Sequence, residues 1–227
     1  MEREDFLARV RASLGRAART EAPPPYRPPS PPSADELTER LVRELTAAGG
    51  VVHRAASPTA AREAIVGLLV GKKTRRVVLG ATSLIRELEL DGALGSAGID
   101  IVVADLGDES ERGALREAAF AADAGVTSAD YGVADTGTLA LLARRGQGRA
   151  ISLLPPLHVA VLDARDVVGE LAELFERVRE RGELPSALTL ITGPSRTGDI
   201  ELVLTVGVHG PGELHVVVID AATHGDR

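Results

Sequence analysis

Three segments of the chain carry more polar detail than folding alone requires. The first, residues 125–138 (GVTSADYGVADTGT), places Asp130, Asp135, Thr136, Gly137 and Thr138 in a glycine-rich stretch before an apolar run. Glycines and short polar side chains let backbone N–H groups face an anion or a sugar. Two aspartates five residues apart could instead bind a divalent cation or divide acid and base work. Asx turns that fix a tight loop would use the same residues. Asp135 is the catalytic candidate here, and Asp130, Thr136, Gly137 and Thr138 are the binding candidates. The second segment is residues 152–158 (SLLPPLH). Its paired prolines form a rigid corner, with Pro156 restricting Pro155 to extended backbone, and they aim His158 from the start of a strand. That imidazole could act as a base or a ligand, or it could be a buried ring bonded to backbone. The third is residues 192–201 (TGPSRTGDIE), in which Gly193, Ser195, Arg196 and Thr197 follow an apolar run. Free N–H groups, two hydroxyls and a guanidinium suit a phosphate or a carboxylate. A helix cap with Arg196 in a structural ion pair is the alternative. The segment lacks the spacing and the Lys of a P-loop, and it is not GxGxxG. His209, in the turn at 207–211, is placed to reach the same rim, and with His158 it is a candidate for proton transfer.

These segments need a scaffold, and the pattern around them is alternating α and β. Ser33 predicts an N-cap for a helix carrying Leu37, Leu41, Val42 and Leu45, which stops at Gly49-Gly50. A strand follows over 51–54. Ser57-Pro58 then starts a helix with Pro at its first position, ending at Gly71. Residues 76–81 and 99–104 read as buried strands, 83–90 and 110–122 as helices. Residues 138–143, 150–154 and 158–162 read as three closely spaced strands. Asp163 is expected to cap a helix running through Val167, Leu171, Leu174 and Val178. Residues 188–192 and 214–219 read as the final strands. Short apolar runs alternating with amphipathic helices indicate a parallel sheet covered on both faces. The expected fold class is therefore α/β: a three-layer, mostly parallel open sheet with an added antiparallel portion. In an open sheet of this kind ligands bind beyond the carboxyl ends of the strands.

Ahead of this domain, which spans 34–222, lies an amphipathic helix within residues 1–20. Phe6, Leu7, Val10 and Leu14 form its apolar stripe. Seven of the 13 prolines fall within residues 23–32, so 21–33 reads as an extended linker. The stripe must cover something apolar, either on this chain or on a partner.

Composition narrows the function classes. The chain has 227 residues, no cysteine, and a net charge of −7. Zero cysteine excludes disulfides, thiolate zinc sites, cysteine nucleophiles and cysteine-ligated iron–sulfur clusters in this chain. The charge balance lacks a basic nucleic-acid footprint. Aromatics are 2%, which leaves no stacking platform for single strands and argues against a stacked flavin. No apolar run is long enough for a membrane helix, and the start lacks the apolar region of a signal peptide. The expected location is the cytoplasm. HExxH, CxxC and GxSxG are absent, and no metal site is expected.

Taken together and in order, the three segments and residues 207–220 (GVHGPGELHVVVID) resemble the LUD domain, and within that family the lactate utilisation protein C group. The resemblance covers roughly residues 33–221, and the leading helix and linker also resemble that group. It implies a fold similar to the CoA-transferase, ribose-5-phosphate isomerase and glucosamine-6-phosphate deaminase group. It further implies a role beside two iron–sulfur proteins that, with this one, oxidise L-lactate to pyruvate. The clusters would lie in those partner chains, and this one would bring a pocket for a small carboxylate or phosphate, or a docking surface. The resemblance carries over no catalytic residue. A stand-alone enzyme acting on a phosphosugar or thioester, or a purely structural or regulatory subunit, are the alternatives.

Overall fold

A computed structural model describes residues 3–13, 32–105, 111–144, 146–182, 184–198, 204–207 and 209–220. The chain divides into two units, Met1–Pro31 and Pro32–Arg227. In the first, α1 (Arg3–Ser13) is a helix with Glu4 and Asp5 in its first turn, where acidic side chains suit the helix dipole. Phe6 of the expected stripe is exposed. Residues 14–31, which hold Leu14 and most of the linker, lie outside the described residues.

Local sequence signals set the start of the second unit. The Ser33 hydroxyl accepts from the Glu36 N–H at 3.2 Å, and the Glu36 carboxylate accepts from the Ser33 N–H at 2.7 Å. This capping box starts α2 (Ala34–Ala47), and the Ser33 backbone bond holds the Glu36 carboxyl below its usual range. Gly49, at φ 94°, then turns the chain into β1 (Val51–Ala55). Ser57 caps α3 (Pro58–Gly71), which leads to β2 (Arg76–Gly80). The helix expected over 83–90 is two: α4 (Ser83–Glu87) and α5 (Leu90–Ser96), divided by Glu89 in left-handed backbone. The elements β3 (Asp100–Ala104), α6 (Glu111–Phe120) and β4 (Ala124–Ser128) complete the first half.

In the second half, β5 (Tyr131–Val133) and β6 (Thr138–Leu142) form a hairpin. Residues 150–154 are not a strand. They form α7 (Ala150–Leu153), a turn of helix before Pro155-Pro156 and β7 (Leu157–Asp163). Asp163 does not cap the long helix either. It caps a 3-10 turn over Ala164–Asp166, followed by β8 (Val167–Val168) and only then α8 (Leu171–Glu180). The chain continues through β9 (Leu188–Ile191), the hairpin β10 (Arg196–Gly198) and β11 (Leu204–Val206), and β12 (Glu213–Ile219).

Six strands form one parallel sheet in the order β1-β12-β7-β4-β2-β3. This is the open parallel sheet expected from the apolar runs. A second sheet, β8-β5-β6-β9, is largely antiparallel. One face of the parallel sheet packs against α3, α4 and α5 through residues such as Ile65, Leu69, Ile85 and Leu94. The other face meets α6 and α7 around Val78, Leu115 and Ile151. Beside them, α2 and the second sheet cover it through Leu41, Leu45 and Leu139, packed around Leu162 of β7. Then α8 closes the far face of the second sheet through Leu174 and Val178, adding a layer to the three expected.

Gly125 is where α7 meets the sheet. A Cβ there would lie 2.0 Å from the Ile151 carbonyl oxygen, a backbone atom that cannot swing aside. Gly125→Ala is expected to destabilise the fold by about 2 kcal/mol, in the range of overpacked cores, as read by urea denaturation. A midpoint equal to wild type would contradict this packing.

Candidate functional site

The order of the parallel sheet creates one special position. From β2 the chain crosses outward through α4 and α5 to β3, while β4 leads the other way toward β7. Neighbouring strands whose connections diverge leave a crevice beyond their carboxyl ends, where open α/β sheets bind ligands. Here that crevice is a cleft of about 400 Å³. Thr82 and Ser83 enter it after β2, Ser128 at the end of β4 and Asp130 just beyond, and Asp163 at the end of β7. Arg144, Arg165, Asp166 and Arg181 complete its polar wall.

A hydrogen-bond chain organises the floor. Ser128 Oγ lies 2.9 Å from Thr82 Oγ1 and 2.8 Å from Gln147 Oε1. Gln147 Oε1 can only accept, so the Ser128 hydroxyl donates to it and accepts from Thr82. Gln147 Nε2 donates to Asp130 Oδ2 at 3.2 Å, and the Leu142 N–H donates to the same oxygen at 2.8 Å. Asp130 Oδ1 holds the Arg144 guanidinium and lies 3.5 Å from Arg181 Nη1. The Asp130 side chain is only 3% exposed, so these donors replace the water that a buried carboxylate loses.

Each arginine reaches the cleft from a different element; among the described residues Arg144 is held by Asp130 alone, Arg165 and Arg181 by more than one contact. Arg165 follows β7, and Asp163 takes its Nη2 at 2.6 Å and its Nε at 3.0 Å. The Asp163 bonds push the Arg165 guanidinium further up, keeping it charged. Arg181, after α8, donates from Nε to the Tyr131 hydroxyl at 3.1 Å, with its carbon 5.1 Å above that ring. All three side chains remain 37–45% exposed, so their outer N–H groups are available to a ligand. Asp166 is reached by solvent from the cleft, yet its neighbours strip much of its hydration. That loss, reinforced by the Asp163 carboxylate and opposed by Arg165, raises its carboxyl above the usual value. The arrangement is a set of prefixed guanidinium forks suited to carboxylate or phosphate, beside a carboxyl that can carry a proton.

Of the residues singled out from the sequence, Asp130 lies in this cleft. Asp135 sits at the other end of the β5–β6 hairpin, paired with Arg40 of α2 at 2.8 Å. The two aspartates therefore do not share a ligand. Thr136, Thr138 and Thr192 form a hydroxyl chain at 2.7 and 2.8 Å. Gly137 packs against Glu44 and Leu45, and Gly193 against Ala48, all on or next to α2. The Arg196 guanidinium lies over Gly49. The Ser195 N–H is not free, because it donates to the Pro211 carbonyl at 2.8 Å, and Arg196 and Thr197 belong to β10 rather than to a helix. The side chain of Thr197 lies outside the described residues. Thus Thr136, Gly137, Thr138, Gly193, Ser195 and Arg196 gather around the end of α2, and none of them lines the cleft. His209 is exposed. Among the described residues, no group of His, Asp and Glu is placed to hold a metal ion.

His158 is buried on β7, with Nε2 2.8 Å from Thr127 Oγ1 and Nδ1 without a partner among the described residues. Burial lowers its pKa to about 4. An unfolded chain protonates this ring near 6.5 and the folded one near 4, so stability falls as pH drops between those values. The loss should reach about 3 kcal/mol. Denaturation midpoints at pH 7 and pH 4 check this, and His158→Leu should lose less over the same interval.

The polar cleft residues that sequence reading missed are Thr82, Ser83, Ser128, Arg144, Asp163, Arg165, Asp166 and Arg181. A usable signal was Asp163-Ala164-Arg165-Asp166, charged residues directly after an apolar strand.

Comparison with known proteins places these features in a family. The LUD domain profile matches residues 38–219. Lactate utilization protein C of Halalkalibacterium halodurans is 31% identical, covering 96% of this chain and 97% of the relative. The protein of that name from Anoxybacillus flavithermus is 30% identical over 95% of this chain and 98% of its own length. YkgG of Escherichia coli, whose function is uncharacterized, is 29% identical over 96% of this chain and 98% of its own length. A crystal structure of a DUF162 family protein from Deinococcus radiodurans superposes with a TM-score of 0.59 at 24% identity, covering 83% of this chain and 99% of that one. That likeness supports the fold. With the profile spanning most of the chain, and near full-length relatives at this identity, the chain belongs to the LUD domain family.

Proposed function

We propose that this protein works in lactate utilisation, as a cluster-free member of a multi-protein system that oxidises L-lactate to pyruvate. Its part is to hold a small anion in the cleft at the carboxyl edge of the parallel sheet. The observation that carries the reading is the convergence of Arg144, Arg165 and Arg181 on that cleft, each anchored by a buried carboxylate. The names of near full-length relatives support the link to lactate utilisation. In this reading the guanidinium forks bind the carboxylate of the ligand, with Asp166 in the wall beside them. In the same reading the two electrons of the oxidation pass to iron–sulfur clusters in partner chains and its two protons to solvent; this chain has no cysteine to ligate such a cluster. The setting is the cytoplasm, and among the described residues no helix is long and apolar enough to cross a membrane.

The test is lactate oxidation by purified partner proteins with and without this chain. Loss of turnover on omission, with partner clusters intact, supports the reading. Unchanged turnover overturns it, and turnover of a phosphosugar or thioester by the isolated chain would assign a stand-alone enzyme instead.

The cleft also predicts a pH dependence. The Asp166 carboxyl titrates above its ordinary value of 3.8, and its protonated form adds no negative charge. Anion affinity should therefore fall as pH rises through that titration. Asp166→Asn should flatten the dependence and tighten anion binding at pH 7 by about fivefold, equivalent to roughly 1 kcal/mol of removed repulsion. Calorimetric titration at several pH values checks both outcomes.

A further inference from the structure

We propose that the opposite edge of the parallel sheet, where its strands begin, is a docking surface for an acidic protein partner. The net charge is −7, yet residues 72–76 read Lys-Lys-Thr-Arg-Arg and contain the only two lysines of the chain. This run joins the end of α3 to the start of β2. Lys72 is tied to Glu213, the first residue of β12. Lys73, Arg75 and Arg76 are exposed and make no ion pair among the described residues. Lys72, Lys73, Asp123 and Pro156 share a hollow of about 210 Å³, which places the basic run beside the ends of α6 and α7. Those ends carry apolar side chains in solvent: Phe120 is 80% exposed, Leu153 40% and Leu154 38%. The helices α6 and α7 pack together, so these apolar side chains lie on neighbouring elements. Exposed aromatic and aliphatic groups beside unpaired cations form the centre and rim of a protein interface.

The chemistry selects the kind of partner. Unpaired cations in an otherwise acidic chain call for carboxylates by charge complementarity. The helices α3 and α6 have their carboxyl ends at this edge, and helix carboxyl ends carry partial negative charge. Asp123 and Glu213 stand within it. Those negative groups oppose a phosphate-covered surface such as a bilayer or a nucleic acid, whereas a protein surface can pair both signs.

Carbodiimide coupling tests this directly, because it joins a lysine amine to a carboxylate in contact with it. The full-length chain is incubated with clarified extract of its native host, coupled, digested and sequenced by mass spectrometry. The Lys72–Glu213 pair supplies an internal link that reports successful coupling. The expected result is a link from Lys73 to an Asp or Glu within an acidic segment of a different protein. It should fall at least about tenfold in Arg75→Glu/Arg76→Glu and in about 0.5 M salt, as a screened charge contact requires. Phe120→Ser should also weaken it, while the internal link and the circular dichroism spectrum stay as in wild type. Coupling that yields the internal link alone, or a Lys73 link unaffected by charge reversal, would overturn the proposal. A link to a second copy of this chain would also overturn it. So would sedimentation with phosphatidylglycerol vesicles that is lost in the double variant.

Discussion

Asp130→Ala should cost the fold about 3 kcal/mol, the range for removing one partner from a buried ion pair. For a protein of this size that lowers the melting temperature by on the order of 10 °C. The carboxylate is almost fully buried; it accepts from the Leu142 N–H, the Gln147 amide and Arg144, and forms an ion pair with Arg181 at 3.5 Å. The two arginines are partly exposed and can turn to water. The Leu142 N–H, inside a strand, has no such escape, and a buried donor left unmade costs about 1–3 kcal/mol. Asp130→Asn keeps one acceptor and should lose roughly half as much. Differential scanning calorimetry decides the matter, and an Ala variant as stable as wild type would remove Asp130 from its central position.

Arg165→Ala should reduce lactate-dependent turnover of the assembled system by about 10- to 100-fold. One charge-assisted bidentate contact contributes about 1.5–3 kcal/mol, and Arg165 is the arginine whose fork is most completely preset, by Asp163. Arg165→Lys should recover only part of the loss, because a lysine offers a point charge in place of a planar fork. Arg196→Ala separates the two regions, since Arg196 lies over Gly49 beside α2 and outside the cleft. Its turnover should stay within about twofold of wild type. Steady-state rates with each purified variant check the prediction. The reverse pattern would move the anion to the loop around Ser195.

The sequence announced the scaffold better than the site, for a physical reason. Capping at Ser33 and Ser57 depends on neighbours within three residues, and the parallel strands are short apolar runs, so both are visible locally. Residues 150–154 were misleading because a short apolar run has no period to distinguish a strand from a helical turn. The distinction comes from Gly125, a distant residue that admits the Ile151 carbonyl only if it has no side chain. Residues 188–191 are a strand as expected, but β9 pairs with β6 in the second sheet. Its carboxyl end therefore leads away from the crevice, and the Gly193–Arg196 chemistry goes with it. The cleft draws on residues from Thr82 to Arg181, and no short spacing links them. Only the strand order brings them together, and that order is set by long-range packing. Asp130 was legible because polar residues in a glycine-rich stretch are conspicuous, whereas its partners Gln147 and Arg181 were not.

In the proposed function the anion sits among Arg144, Arg165 and Arg181. Calorimetric titration of L-lactate into the folded wild type, Arg165→Ala and Arg196→Ala proteins tests it most directly. Saturable binding in wild type and Arg196→Ala, lost or weakened at least about tenfold in Arg165→Ala, is the predicted result. Binding retained in Arg165→Ala and lost in Arg196→Ala would contradict it.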